Sequence, residues 1–222
     1  MTLHVILADS ELELVPPEIV SLPAIRRDAG RRGKKAKELL LDSSLHHSAM
    51  KGLLDEKRRG RPDIVHISLL IANESILNRE GVLDMVVHTR NNEAIKISPE
   101  MKVIKNYNRF KGLIEQLFKE GEVPPGNPLM RMESEGVTEI VNEINADKVI
   151  VLSENGEAKS LEDAFTENSA CIIGGFPHGD FISPVKEIAD EVIAIYPSPL
   201  PAWIALMEAI VAYERKFVKS YL

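Results

Sequence analysis

Residues 171–181, CIIGGFPHGDF, have the residue types of a ligand-binding loop. An apolar run ends at Gly174 and Gly175, and Gly179 follows shortly after; glycines directly after a strand let the backbone turn sharply or approach a ligand closely. The order matches neither G-x-G-x-x-G nor a P-loop. Pro177 also disfavours a helix start with free amides, which argues against phosphate capture. Backbone groups at the carboxyl end of a strand suit a flat heterocycle such as adenine.

Two further strand ends complete a possible cleft. Residues 191–203, EVIAIYPSPLPAW, place prolines at 197, 199 and 201 after an apolar run, and VIVLS ends near Leu152. Proline fixes φ and removes a donor, so these loops would be rigid before a ligand arrives. Taken singly, each loop is ordinary turn chemistry. Together, at the ends of strands that we expect to be neighbours, they favour a preformed binding cleft.

Basic residues are concentrated in one part of an acidic chain. The net charge is −7, yet residues 26–61 hold twelve Lys and Arg against five acids. Such a region points to a bound polyanion, although a solvated helix face that only aids solubility has the same composition. Lys102, Lys105 and Arg109 form a second set, and their spacing of three and four residues predicts one helical or turn face.

The elements that must position these residues alternate between strand and helix, which predicts an α/β domain with a mainly parallel sheet. The strand candidates are LHVILA, DIVHISLLIA, DMVVHT, EAIKIS, DKVIVLS, ACIIGGF and DEVIAIYP. The helix candidates are KKAKELLLDSSLHHSAMKGLLDEK, NYNRFKGLIEQLFKEG, VTEIVNEINA and PVKEIA. HTRNNEAIKIS predicts a β-hairpin at the edge of the sheet. GEVPPGNPLMR (residues 121–131) predicts a loop or crossover. We expect one domain over residues 1–222, with a basic portion at roughly 26–61 and 101–111.

The last helix begins near Trp203 and is apolar around most of its circumference. Trp203, Leu206, Met207, Ile210 and Val211 lie on one stripe at helical spacing. A helix of this kind is buried on more than one side. A subunit interface and a central core helix explain the pattern equally well.

Composition excludes several classes of protein. A single cysteine among 222 residues excludes a disulfide framework and a cysteine-rich metal site, which fits a reducing compartment. The opening LHVILAD does not match a signal peptide, and no apolar stretch approaches the roughly 18 residues of a membrane span. His46 and His47 are adjacent and diverge on a helix, while His66 falls in a predicted strand, so we expect no metal. The sequence predicts a soluble, cytoplasmic protein.

Five ordered motifs carry a family resemblance over nearly the whole chain: LLLDSSLHHSAMK, GRPDIVHISLL, KVIKNYNRFKGLIEQL, IGGFPHGDF and IYPSPLPAW. In this set the chain closely resembles the ribosome-biogenesis pseudouridine methyltransferases of the SPOUT, or α/β-knot, superfamily. The resemblance implies a C-terminal deep trefoil knot, a rare exception among folds, and a homodimer. It also implies methylation of ring nitrogen 1 of a pseudouridine in small-subunit ribosomal RNA, with S-adenosylmethionine as the cofactor, and a role in small-subunit biogenesis.

The resemblance assigns residues to these roles and implies neither a membrane nor DNA as a partner. The glycine loop, GGFPHGDF (residues 174–181), and the proline loop, IYPSPL (residues 195–200), become walls of the cofactor pocket. The implied cofactor-binding residues are Leu152, Gly174, Gly175, Gly179, Ile195, Tyr196, Pro197, Ser198, Pro199 and Leu200. The implied RNA-binding residues are Arg61, Asp63, Lys102, Lys105 and Arg109. The family carries arginines where this chain has Lys102 and Lys105, which puts bidentate phosphate recognition there in doubt.

Arg61 and Asp63 are the candidate catalytic residues. A guanidinium can hold a phosphate or a uracil carbonyl and favour the negative charge that develops as ring nitrogen 1 loses its proton. The resemblance implies that Asp63 supports Arg61; Asp63 could instead be the general base if it were desolvated enough. Without the resemblance, Asp63 would be a residue that caps backbone amides at the start of a strand.

Two other functions remain open at this stage. The chain could be an assembly factor that binds pre-ribosomal RNA and for which methyl transfer is secondary. A Rossmann-type nucleotide enzyme is a weaker alternative, because its glycine fingerprint and its ribose-binding acid are missing.

Overall fold

The computed structural model of the chain describes residues 1–218. Within them, eight strands form one sheet: β1 (Thr2–Ser10), β2 (Leu83–Thr89), β3 (Glu93–Ile97), β4 (Glu122–Val123), β5 (Met130–Ser134), β6 (Lys148–Ala158), β7 (Asn168–Gly174) and β8 (Glu191–Ala194). The strand order is β4-β5-β3-β2-β1-β7-β6-β8. The five strands from β2 to β8 in this order run parallel, whereas β3, β5 and β4 pair antiparallel. The predicted α/β class with a mainly parallel sheet is confirmed.

Helices cover both faces of the sheet. They are α1 (Pro23–Arg32), α2 (Ser43–Met50), α3 (Pro62–Glu74), α4 (Ile76–Arg79), α5 (Tyr107–Glu120), α6 (Val137–Ile144), α7 (Leu161–Ala164) and α8 (Ala202–Phe217). Single 3-10 turns lie at Pro17–Ile19, Ala36–Glu38 and Val185–Glu187. Among residues 1–218, no helix is long and apolar enough to cross a membrane.

The central strand β1 is buried on both faces, as the interior strand of a parallel sheet must be. Leu3 and Leu7 belong to the core on the side of α3, α5 and α8. Ile6 and Ala8 belong to a second core on the side of α6. The two cores fix the register of β1, because a shift of one residue would exchange its faces.

A third apolar cluster stabilises the basic portion of the chain. It joins α1 to α2 and to the extended segment between them, through buried Ile25, Leu39, Leu41 and Met50. This portion therefore has a small core of its own beside the main sheet.

The predicted β2–β3 hairpin is confirmed, but its predicted place at the sheet edge is wrong. β3 pairs with β5, and β5 pairs with β4, so two further strands extend the sheet beyond the hairpin. The segment 121–131 provides them: its Pro- and Gly-rich middle is a turn, and its ends are the short strands β4 and β5. Turn residues obscured the brief pairing segments on either side.

The predicted strand in DIVHISLLIA is wrong, because these residues form α3. Pro62 occupies the first helical turn, where its missing N–H breaks no hydrogen bond, and it begins a helix rather than a strand. The buried residues Ile64, Val65 and Leu69 follow helical spacing. Their β-branched side chains favour strands in isolation, and packing overrides that preference.

The long helix predicted around residues 34–57 is mostly wrong. Only α2 is helical, beside one 3-10 turn. The apolar run Leu39–Leu41 is extended and bonds along residues 13–15: Val15 N–H donates to Leu39 O at 2.8 Å and Leu41 N–H to Glu13 O at 2.9 Å. Asp42 then caps α2, which starts the helix only after that run. The segment PVKEIA likewise forms only a 3-10 turn.

Helix α8 is confirmed, but within one chain it is buried on one side only. Ala205, Leu206, Ala209, Ile210 and Tyr213 pack inward. Met207 is 40% exposed, so the stripe predicted from Trp203 to Val211 does not lie in one buried face.

Candidate active site

The carboxyl ends of β7 and β8 and the middle of β6 surround a cavity of about 330 Å³, which we call the loop cavity. The sequence predicted β6 to end near Leu152, but the strand continues to Ala158. The sequence predicted β7 and β8 to be neighbours, which is wrong because β6 lies between them. The insertion of β6 places Leu152 between the glycine loop and the proline loop. All three strand ends predicted to form a cleft therefore meet at one cavity.

Most of the residues predicted to bind the cofactor line the loop cavity. These are Leu152, Gly174, Gly179, Ile195, Tyr196, Ser198, Pro199 and Leu200. Two predicted residues, Gly175 and Pro197, are not among the lining residues. Gly175 serves the fold instead: its N–H donates to Ala8 O at 2.7 Å, and a Cβ there would overlap Ser10.

The glycine loop leaves no room for side chains at its first position. A Cβ on Gly174 would lie 2.5 Å from the ring of Phe176. Gly179 has a φ of 92°, a left-handed conformation that favours glycine. The ring of Phe176 packs edge-on against Phe181, with centroids 5.3 Å apart, which closes the loop on itself.

The lining of the loop cavity suits a ligand with a flat apolar part and polar ends. Apolar side chains form much of the lining: Leu152, Ile173, Ile193, Ile195 and Leu200. Polar groups also face the cavity: Ser153, Asn155, His178, Asp180 and Ser198. A hydrogen bond from Lys186, at 2.6 Å, lowers the pKa of Asp180 and keeps it charged. The lining fits an adenosyl group with a charged amino-acid tail.

Arg61 and Asp63 form a two-pronged ion pair at the start of α3. Arg61 Nε donates to Asp63 Oδ1 at 2.8 Å, and Nη2 donates to Oδ2 at 2.7 Å. Arg61 is the N-cap residue and Asp63 lies in the first helical turn. The hydrogen bond to Asp63 raises the pKa of Arg61. Side-chain exposures of 28% and 39% leave both groups accessible to a ligand.

This pair lines a second cavity, of about 600 Å³, which we call the α3 cavity. Its other lining residues include Asp42, His47, Lys57 and Tyr107. Neither Arg61 nor Asp63 lines the loop cavity. The structure therefore separates the two predicted catalytic residues from the predicted cofactor residues within one chain.

Asp42 organises the wall of the α3 cavity, and sequence reasoning missed it. Its carboxylate accepts from Lys111 Nζ at 2.6 Å, from Tyr107 Oη at 3.0 Å and from Ser44 N–H at 3.0 Å. Burial alone would raise the pKa of Asp42, but the bonds from Lys111 and Ser44 outweigh it and lower the pKa. Burial is the main cause that raises the pKa of Tyr107, and the neighbouring carboxylate of Asp42 raises it further. The Tyr107 hydroxyl therefore stays protonated.

Lys102, Lys105 and Arg109 are exposed beside α3, but they do not share the one helical or turn face that their spacing predicted. Lys102 and Lys105 precede α5 in a segment without regular structure, and Arg109 lies in the first turn of α5. Lys105 pairs with Glu74 at 3.1 Å, although no acid lies near it in sequence.

Two side chains of α3 hold this segment in place. His66 Nε2 donates to Ile104 O at 2.8 Å, and its ring stacks on Phe110 with centroids 4.4 Å apart. Asn73 Nδ2 donates to Met101 O at 2.6 Å. His66, predicted in a strand, is thus a helical residue that positions the basic segment.

Much of the charge predicted to form a free basic surface is internally paired. Arg59 donates to both oxygens of Glu13 at 2.7 and 2.6 Å, and Arg32 to both oxygens of Glu115 at 2.6 and 2.7 Å. Arg58 is only 8% exposed. The basic side chains left exposed in this portion include Arg26, Arg27, Lys35 and Lys37.

Acids at the end of β1 and directly after it anchor the loops of both cavities, and these too were missed. Asp9, in β1 with φ 50°, accepts from Ile182 N–H at 2.6 Å and from the hydroxyl of Ser183 at 2.6 Å. Glu11 is fully buried and accepts from Arg90 Nη1 at 2.7 Å. The alternating acids in LADSELEL, at the carboxyl end of a central strand, were the available signal.

Comparisons with known proteins assign this architecture to one family. The family model described as EMG1/NEP1 methyltransferase matches residues 5–214. The ribosomal RNA small subunit methyltransferase Nep1 of Thermococcus onnurineus is 51% identical over 217 residues, which cover 96% of this chain and 98% of that protein. The protein of the same description from Pyrococcus furiosus is 48% identical, with 98% of each chain covered.

A solved structure shows the same fold with a ligand. The crystal structure of Archaeoglobus fulgidus Nep1 bound to S-adenosylhomocysteine is 34% identical to this chain. It matches with a TM-score of 0.89 over 98% of this chain and 100% of that one.

Proposed function

The chain belongs to the EMG1/NEP1 methyltransferase family, and from that membership we propose that it transfers a methyl group from S-adenosylmethionine to ring nitrogen 1 of a pseudouridine in small-subunit ribosomal RNA. The observation that carries the proposal is the loop cavity, whose apolar and polar lining suits an adenosyl cofactor. The described relatives, named ribosomal RNA small subunit methyltransferases, support the substrate class. The relative bound to S-adenosylhomocysteine supports the cofactor.

In this proposal the loop cavity holds the cofactor. When bound, S-adenosylmethionine supplies an activated methyl group. Leu152 and Leu200, which line the cavity, would pack on the adenosyl part, and the backbone around Gly174 and Gly179 would bond to its polar edges. The rigid proline loop from Ile195 to Leu200 lowers the entropy lost when the cofactor binds.

Arg61 and Asp63 act on the RNA in this proposal. Arg61 donates to a phosphate or to a uracil carbonyl, and Asp63 holds the guanidinium in place through the two-pronged pair. Extruding the base from its stack costs a few kcal/mol, less in a loop, and contacts at the α3 cavity offset that cost. The pair with Arg61 engages both carboxylate oxygens of Asp63, which favours an orienting role for Asp63 over the role of general base.

Lys102, Lys105 and Arg109 extend the RNA-binding surface. Three neutralised phosphates of a single strand predict a slope of about −2 in log affinity against log salt. Lysines act as point charges, so these contacts position the RNA and carry little sequence information.

We extend the proposal to a homodimer and to a trefoil knot in the C-terminal part. The partly exposed apolar residues of α8, with Met207 at 40% exposure, support an interface. The return of the chain from the edge strand β8 to α8, which packs on α3 and β7, supports the knot. Light scattering should give twice the mass of one chain; a monomeric mass would contradict the dimer.

The separation of the two cavities also favours a second function, binding of pre-ribosomal RNA as an assembly factor. An RNA site that does not share a cavity with the cofactor could bind RNA without methyl transfer. The two functions are distinguished by the experiment that follows.

The test is transfer of labelled methyl from S-adenosylmethionine to two RNA hairpins that differ only by uridine or pseudouridine at one position. We expect transfer to the pseudouridine hairpin alone. Transfer to both would contradict the assigned base. No transfer to either, together with tight and salt-sensitive binding of both, would establish the assembly-factor function instead.

A further inference from the structure

Arg58 links the basic portion to the glycine loop. Its guanidinium carbon lies 3.8 Å from the centre of the Phe176 ring, and Nη1 donates to the backbone oxygen of Asp180. The same Nη1 would lie 3.5 Å from a Cβ on Gly179. Phe176, Gly179 and Asp180 all line the loop cavity, whereas Arg58 is not among its lining residues. Arg58 therefore supports the loop without facing the cavity.

Glu11 fixes Arg58 in this position. Arg58 Nε donates to Glu11 Oε1, and Arg90 Nη1 donates to Oε2 at 2.7 Å. Glu11 is fully buried and Arg58 is 8% exposed, so the pair is screened little by solvent. Planar stacking and directed donors at one site need the fork of an arginine.

The backbone of Glu11 bonds to the glycine loop and to the start of α3. Its N–H donates to Gly175 O, at 3.2 Å, in the glycine loop. Its carbonyl accepts from Arg61 N–H, at 2.9 Å, at the start of α3. One buried residue thus sets the position of the loop, of Arg58 and of the proposed RNA-binding arginine. A displacement at either cavity changes contacts that the other cavity depends on.

We propose that Arg58, held by Glu11, is a positioning residue that couples RNA binding at the α3 cavity to cofactor binding at the loop cavity; the inference rests on the proposed function. RNA that orders Arg61 also orders Glu11 and Arg58, and so the glycine loop. Because coupling between two ligands is reciprocal, each raises the affinity of the other by the same factor.

The Nη2 donor of Arg58 gives a physical reason for a second position of the glycine loop. Its Nη2 is buried and has no hydrogen-bond partner among residues 1–218. A buried donor without an acceptor favours a rearrangement that supplies one. The neighbouring Nη1 already bonds a loop carbonyl, so a small movement of the loop could give Nη2 another. A ligand at either cavity can select that position.

The test compares Arg58→Met with a matched control, Arg59→Met. Arg59 is the adjacent arginine, but it bonds to Glu13 and to Leu54 O rather than to the glycine loop. Calorimetry measures the Kd of S-adenosylhomocysteine with and without the pseudouridine hairpin. In the unchanged protein we expect the hairpin to tighten this Kd by about fivefold or more. Arg58→Met should weaken the Kd about tenfold and abolish the effect of the hairpin, while Arg59→Met keeps both values.

Arg58→Lys keeps the inference testable if Arg58→Met does not fold. The lysine retains a charge opposite Glu11, but an ammonium cannot both stack on Phe176 and reach Asp180 O. We expect a folded protein, by thermal unfolding, that binds S-adenosylhomocysteine without the effect of the hairpin.

Four results would overturn the inference, and they separate it from the proposed function. Unchanged coupling in a folded Arg58 variant, or equal loss of coupling in Arg59→Met, would show that Arg58 has no specific part. Normal S-adenosylhomocysteine and hairpin binding without coupling in the unchanged protein would overturn the inference alone. Failure of the unchanged protein to bind S-adenosylhomocysteine at all would overturn the proposed function and the inference together.

Discussion

Gly174 is the residue at which the smallest chemical change should affect the loop cavity most. A methyl group there would meet the ring of Phe176 at 2.5 Å, so the ring must move toward or away from the cavity that it lines. We expect Gly174→Ala to weaken S-adenosylhomocysteine binding by tenfold or more in calorimetry, while the protein stays folded.

Gly112→Ala is the matched control for this substitution. Gly112 lies within α5, and among residues 1–218 a Cβ there would meet no atom within 4 Å beyond its own helix backbone and its chain neighbours. Alanine is the better helix former by about 1 kcal/mol, so this variant should bind the ligand normally and unfold at a slightly higher temperature. Equal binding by both variants would contradict the role given to the Phe176 ring.

Asp63 offers a direct test between an orienting group and a general base. Asp63→Asn keeps the shape of the side chain but loses the charge that pairs with Arg61 at 2.7 Å. If Asp63 only orients Arg61, we expect KM for the RNA to rise, kcat to fall less than about tenfold, and the pH–rate profile to keep its form. Loss of a general base would instead lower kcat by about 10²–10⁴-fold and remove the acidic limb of the profile.

At the scale of elements, a buried ion pair joins α5 to the cap of α2, beside the hydrogen bond from Tyr107 to Asp42. Lys111 of α5 and Asp42, which caps α2, are each 4% exposed at the side chain and bond at 2.6 Å. Removing one partner of a buried pair costs about 3–5 kcal/mol, because the other charge stays buried. We expect Lys111→Met to lower the free energy of unfolding by about 3 kcal/mol in urea titrations.

Two further variants check that explanation. Lys119→Met changes an exposed lysine of the same helix, which pairs only with its neighbour Glu120 among the ion pairs of residues 1–218, and it should leave unfolding unchanged. Asp42→Asn combined with Lys111→Met removes both charges and should recover part of the loss. No recovery in the double variant would mean that the cap on α2, rather than the ion pair, carries the stability.

Elements were predictable from sequence where the hydrophobic pattern agreed with the residues that begin or end an element. The strand β1 is an apolar run of strand length. The helix α5 has a clear helical period, and Asn106 and Gly121 cap its two ends. α3 was missed because its β-branched residues favour a strand, although Pro62 was a helix-start signal. The Leu39–Leu41 run was read as helical because its partner, residues 13–15, is distant in sequence.

The residues of the candidate site also divide into those that the sequence predicted and those that it did not. Residues that shape the backbone, such as Gly174, were predictable from their residue type and from their position after a strand. Glu11 and Arg58, which hold the glycine loop in place, are 47 residues apart in sequence, so their ion pair could not be predicted. A charged residue in sequence gives no sign of whether it will be solvated or buried against a partner, because only the topology decides that.

At the scale of the whole molecule, the asymmetry of charge is resolved by internal pairing. The basic portion contributes Arg58 and Arg59, and the strand-end acids Glu11 and Glu13 meet them. The strand order β1-β7-β6-β8, which sets this arrangement, is not readable from a single sequence. It follows from tertiary packing: β1 and β7 are buried on both faces, and their apolar sequences do not indicate which strands lie beside them.

Two buried histidines tie the stability of the whole molecule to pH. His46 Nδ1 accepts from Asp42 N–H at 3.1 Å, and His88 Nδ1 accepts from Asp9 N–H at 3.2 Å. Each ring is therefore neutral with its proton on Nε2. Burial is the main cause that lowers the pKa of each below 6.5, and it outweighs the nearby carboxylates. The carboxylates that raise the pKa of His46 are Asp28 and Asp42, while the charge of Lys111 lowers it. The carboxylates that raise the pKa of His88 are Asp9 and Glu139.

The sign of the pH dependence follows from these lowered values. Well above pH 6.5, His46 and His88 are neutral in both folded and unfolded chains and contribute no slope. Below it the unfolded chain takes up protons first, so the free energy of unfolding should fall by up to about 1.4 kcal/mol per pH unit for each histidine. We expect urea titrations between pH 7.5 and 5.5 to show this decline. His88→Gln should reduce the slope, whatever its effect on absolute stability, and His47→Gln, at the exposed neighbour of His46, should not. Equal slopes in all three proteins would show that His88 takes up its proton in the folded state as readily as in the unfolded chain.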